Sequence, residues 1–138
     1  TQIRLDGKAR HASAVHGEME AFREFMHMLA TEGEVSAIYL RGIRDFTSLK
    51  DSEVIRFSAI CGYQLRIFEE AYFHWTEGNL DPQLWHGFEA PMKDLFAYSG
   101  AREWWSTRCH WYNQRFQEYV STIVADAGAP KLYGENDA

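Results

Sequence analysis

Between residues 52 and 77, the side chains Phe57, Ile60, Cys61, Phe68, Ala71, Tyr72 and Trp75 fall within one arc of a helical wheel. A strand turns its side chains over every second residue, so this spacing suits only a helix with one buried face. Gln64 lies in the middle of the arc and needs a hydrogen-bond partner if it is buried.

The same pitch recurs almost everywhere. Val15, Met19, Phe22, Met26 and Leu29 follow one another at alternating steps of four and three, with Phe25 and Met28 widening the stripe. This predicts a first helix from near residue 3 to Ala30, interrupted only by Gly7 and Gly17. Thr31 and Glu34 match a capping box ahead of a short second helix that carries Val35, Ile38 and Tyr39 and fails near Gly42. A loop over 45–51 precedes the third helix.

Gly78-Asn79-Leu80 reads as a glycine C-cap with a hydrophobic residue behind it. Asp81-Pro82 opens a fourth helix through Leu84, Trp85, Phe88, Met92, Leu95 and Phe96, in which Pro91 should kink or split the axis. After a turn at Ser99-Gly100, a fifth helix is expected over 102–111. Asn113 caps a sixth, whose inner side carries Phe116, Tyr119, Val120, Ile123 and Val124. No period-two stretch reads as a strand. The expected fold is all-α, a single helical bundle of five to six helices with a long N-terminal helix. It forms one domain over 1–127, with a loosely ordered tail over 128–138.

Charge narrows the function. The 138 residues carry 14 Lys and Arg against 20 Asp and Glu, a net charge of −6, and no basic run. Duplex binding draws its strength from neutralising phosphates, so a nucleic-acid partner is not expected. The start is locally basic, with Arg4, Lys8 and Arg10 outnumbering Asp6. Cys61 and Cys109 make no metal spacing and read as small hydrophobes in a reducing compartment, with a disulfide between them as the alternative. No run approaches the ~18 apolar residues of a membrane span, and the opening residues do not read as a signal peptide. The chain opens at Thr1 without a methionine, the expectation for a chain from which an upstream part was removed or left out.

Glu24-x-x-His27 places two metal-ligand types on one helix face, as di-iron bundles do, and His16 and Glu20 share that side. The second pair such a centre needs is missing; Glu70 and His74, four apart, are the nearest substitute. Glu24, His27, Glu70 and His74 are therefore weak metal candidates on a face opposite the apolar stripe. Glu69 and Glu70 point about 100° apart and cannot readily serve one bond as acid and base; Arg66 offers them ordinary surface pairing. Helical serines and the absence of phosphate-loop or dinucleotide glycine patterns leave no catalytic residue and no cofactor to assign.

Trp104-Trp105 is expected to send one ring into the core and the other under a loop, a partner or a ligand. With Arg108 and Trp111 the pair forms the candidate interaction surface.

The order of short motifs carries a resemblance. Thr1-Gln2-Ile3-Arg4 leads into a long helix and is followed by Tyr39-Leu40-Arg41-Gly42, Ser48-Leu49, Arg56-Phe57 and Phe68-Glu69 with Tyr72. Gly78-Asn79-Leu80-Asp81, Leu84-Trp85, Trp104-Trp105, and Phe116 with Tyr119-Val120 complete the series. Up to about residue 125 the chain resembles a family of uncharacterised bacterial proteins, many from proteobacteria, with one N-terminal membrane helix and a C-terminal all-helical soluble domain. It departs from that pattern at Pro91 and at Lys50-Asp51, where the family often starts a helix with Ser-Pro. The resemblance implies a single-pass protein whose helical domain lies on the cytoplasmic face of the inner membrane, with Arg4, Lys8 and Arg10 flanking the span. It implies no activity.

Two function classes follow. One is a protein-interaction or oligomerisation module, alone or as an accessory subunit of a larger assembly. The other is a small-molecule or metal-binding bundle, which could be an enzyme, with Gln64 among its features.

Overall fold

A computed structural model describes residues 2–135, apart from the side chain of His11. Six α-helices run among the described residues: α1 (Gln2–Thr31), α2 (Gly33–Arg44), α3 (Asp51–Thr76), α4 (Pro82–Phe96), α5 (Ser99–Arg108) and α6 (Gln114–Ala125). Single 3-10 turns at Phe46–Ser48 and Cys109–Trp111 link α2 to α3 and α5 to α6. The described residues contain no strand, and the bundle expected from periodicity is the observed architecture.

Helix α3 is the central post, packing against α1, α2 and α4. Its buried residues include the anticipated Phe57, Ile60, Cys61, Phe68 and Ala71, and also Leu65 and Ile67. The arc is wider than one stripe because neighbours approach α3 from several sides. Gln64 is buried and accepts a hydrogen bond from the Tyr39 hydroxyl of α2 at 3.0 Å, the partner its position demanded. Each large apolar side chain closed off this way contributes about 1.5–3 kcal/mol.

Helix ends follow local chemistry in three places. Asp81 accepts from Gln83 N–H at 2.8 Å ahead of Pro82, and Asn113 accepts from Arg115 N–H at 2.9 Å. Gly78 takes φ +77°, which lets Asn79 N–H reach the His74 carbonyl at 2.7 Å and Gly78 N–H reach Trp75 at 3.0 Å; Leu80 is buried behind them. This is the double closure of a Schellman end.

Elsewhere the expectations need correction. Gly7 and Gly17 do not interrupt α1, because neighbouring helical residues hold the ladder at modest cost. The Thr31–Glu34 box does not form. Thr31 Oγ1 donates back to the His27 carbonyl inside α1, and Glu34 pairs with Arg56 of α3. Helix α2 runs past Gly42 to Arg44, and α4 runs through Pro91 without splitting. Helix α5 starts at Ser99, so Gly100 is helical and not a turn residue.

The reason lies in packing. A Cβ on Gly100 would meet the backbone carbonyls of Gly42 and Ile43, the latter at 2.5 Å, and a Cβ on Gly42 would enter the Phe57 ring. The two glycines let α2 and α5 cross with their backbones nearly in contact.

Both tryptophan rings are buried, Trp104 at 2% exposure and Trp105 at 6%. Adjacent residues diverge by about 100°, but α5 is covered on both sides. Trp104 meets Phe57 and donates to Ser58 Oγ at 3.1 Å, while Trp105 packs on Phe96, Tyr112 and Phe116.

The stretch 128–135 forms no α-helix. At its end Tyr98 Oη donates to Glu135, Arg44 reaches the Tyr133 carbonyl, and Leu132 N–H donates to Tyr98 Oη at 3.2 Å. The remaining tail positions, 136–138, lie outside the described residues.

Candidate functional site

Helix α1 divides into two parts. Residues 2–13 lack a buried side chain among those described, with Ile3 84% and Leu5 62% exposed. From residue 14 onward its inner side enters the bundle, where Phe22 and Phe25 pack on aromatic rings of α2, α3 and α4. Twelve helical residues at 1.5 Å each make a projecting arm roughly 18 Å long.

At the base of the arm lies a carboxylate outside the stripe through Met19 and Met26. Glu18 is 2% exposed, between the half-buried Val15 and Phe22. The series Val15, Glu18, Phe22, Phe25, Leu29, at steps of three and four, carries the actual inward face, while Met26 is 49% exposed. That spacing was the available signal: a carboxylate occupying a core register.

Glu18 Oε1 forms a close ion-pair contact with Nδ1 of His74, in the last turn of α3. The two groups touch off the line that a good hydrogen bond needs, and among the described residues Oε2 meets no donor. Burial raises the Glu18 pKa; His74 pulls it down by charge and contact, and the Glu70 charge pushes it up again. A carboxyl raised in the folded state binds its proton more tightly there than in the unfolded chain. Its contribution to stability is therefore complete below the ordinary carboxylate range and is lost as pH rises through the raised value.

Of the remaining candidates, Glu70 acts on this pair through its charge, while Glu24 and His27 are not gathered with it. Glu24 and His27 sit on the exposed side of α1 with His16 and Glu20, and Glu24 accepts from the Tyr63 hydroxyl at 3.0 Å. Glu70 is exposed. Among the described residues no three His, Cys, Asp or Glu side chains form a group able to hold a metal. Glu69, read as a solvated surface acid, is instead a tie: it receives Arg66 at 2.9 Å and the Asn113 backbone N–H at 2.9 Å, joining α3 to the start of α6. Burial holds the Cys61 thiol well above its ordinary pKa; both cysteines are free.

Of the proposed aromatic surface, Trp111 alone is open, at 60% exposure, with the Arg108 guanidinium 5.1 Å from its ring centre. A second aromatic group forms where Trp75 and Trp85 stack in parallel at 5.0 Å beside Tyr119. Trp75 and Tyr119 line an open groove of about 840 Å³ between α4, α6 and residues 125–131, edged by Glu89, Lys93, Asp94 and Asp126.

No helix among the described residues is long and apolar enough to cross a membrane. Comparison of the chain with family models, curated proteins and solved structures yields no match.

Proposed function

We propose that this chain is a helical interaction module, held by an N-terminal tether at the cytoplasmic face of a bacterial inner membrane, whose projecting arm mediates self-association or partner binding. The observation that carries this reading is the arm itself. An isolated helix of about a dozen residues is marginal in water, so a segment with Ile3 and Leu5 exposed gains from being covered. The arm is basic, with Arg4, Lys8 and Arg10 against Asp6, while the whole chain is acidic at −6. That contrast suits contact with the acidic body of another copy or with anionic headgroups beside a tether.

Size-exclusion chromatography with light scattering, run on the chain and on a variant lacking residues 2–13, tests this. The intact chain is expected to run as an oligomer at high concentration and the shortened one as a monomer. Strictly monomeric behaviour of the intact chain, with no partner recovered in pull-downs, removes the reading.

The groove beside Trp75 and Tyr119 supports a second reading, small-molecule binding, since its volume lies in the range of ligand sites. A ligand library screened by nuclear magnetic resonance should then shift the Trp75 indole and Tyr119 signals selectively, with saturation. Shifts spread evenly over the surface dismiss it.

A further inference from the structure

We infer that Glu18 and His74 form a proton-dependent clasp at the base of the arm: with one proton between them they hold the first buried turn of α1 on α3, and loss of that proton lets the turn peel away. The inference rests on the arm being the interacting part, and it supplies that part with a regulator.

Three observations carry it. Glu18 is the first buried side chain of α1 among those described, so its contact marks the point where the arm meets the bundle. Among the described residues its ionic partner is His74, on another helix, and its second oxygen has no donor. The His74 side chain is 28% exposed, so solvent can deliver or remove the shared proton. Gly17, next to Glu18, has open space where a Cβ would stand, and glycine holds a helix less well than alanine.

The charged surroundings fix the direction of the switch. From α3, His74 favours the ionised carboxylate and Glu70 opposes it. From α4, the neighbours of this part of α1 are Leu84, Gly87 and Phe88 against Met19 and Phe22, with Gln83 and Arg23 at the edge. With the imidazole protonated, the pair is neutral as a unit. Once that proton leaves for solvent, an ionised carboxylate remains among apolar side chains beside Glu70. An unpaired buried charge is relieved most cheaply by reaching water. The helix on its N-terminal side is already solvated, so peeling back one turn suffices. At low pH the carboxyl is neutral and needs no relief. The clasp therefore opens as rising pH removes the proton that the pair shares.

Native-state hydrogen exchange on the whole chain, corrected for intrinsic exchange, tests the clasp. Protection of amides 14–20 is expected to fall about tenfold or more between pH 6 and pH 8.5, with the α6 amides unchanged. Glu18→Gln should keep high protection at both pH values, and His74→Gln, which removes the cation that balances the carboxylate, should show low protection at pH 8.5. A wild-type profile that is flat with pH, an undiminished fall in Glu18→Gln, or full protection in His74→Gln at pH 8.5 overturns the clasp. The readout needs no oligomer: if light scattering gives a monomer but the exchange pattern holds, the interaction reading fails and the clasp stands.

Discussion

Gly100→Ala is expected to lower the stability of the bundle by about 3 kcal/mol, the upper part of the range for forcing an atom into a packed interior. In thermal unfolding followed by circular dichroism this corresponds to a Tm lower by roughly 10 °C. The added methyl would meet the backbone carbonyls of Gly42 and Ile43, and backbone cannot rotate aside as a long side chain can. Relief requires α5 to move off α2, which loosens Trp104 and Trp105, both buried on α5. The control is the same substitution on α3. Gly62→Ala has open space for its Cβ inside a helix, so it should raise stability by about 0.5–1 kcal/mol. If the two substitutions act alike, the close crossing of α2 and α5 is wrong.

Phe57→Ala should cost about 4 kcal/mol. The ring is fully buried, packs against Phe46 and Trp104, and fills the space beside Gly42. Gly42→Ala alone should cost about 2 kcal/mol, because its methyl enters that ring. Together the two changes should cost at least about 1 kcal/mol less than their sum, since the methyl then occupies the cavity left by the ring. Urea unfolding of the four proteins closes the cycle. Strict additivity would mean that Gly42 and Phe57 do not share the same space.

These two sites also show where periodicity stops being informative. Gly42 and Gly100 read in one dimension as a helix end and a turn, because glycine most often marks such places. Both are helical, for a reason located in the other helix: each allows close approach of a surface unknown until the chain is folded. The paired tryptophans carry the same lesson. On a helix covered from one side only one of them could be buried. Helix α5 is covered by α3 on one side and by α4 and α6 on the other, so both are.

The candidate site was legible only in part. His74 was named with Glu70, Glu24 and His27, yet the group that engages it is Glu18. Reading the first helix through Met26 set the stripe slightly off its true direction and left Glu18 outside it. A register through Val15, Phe22 and Phe25 passes through Glu18. The general preference of carboxylates for water was outweighed here by the apolar neighbours that fix the face of α1 turned toward α3.

The sequence by itself determined the all-helical class, the order of six helices, and the ends at Gly78, Asp81 and Asn113. Those features depend on the pitch of apolar residues and on hydrogen bonds between positions two to five apart, all of which are encoded locally. Tertiary structure alone decided how closely α2 and α5 approach, that Trp104 and Trp105 are both covered, and that a carboxylate from α1 is sealed against an imidazole more than fifty residues away. Burial and charge pairing are properties of facing surfaces, and which surfaces face each other is settled only when the helices pack.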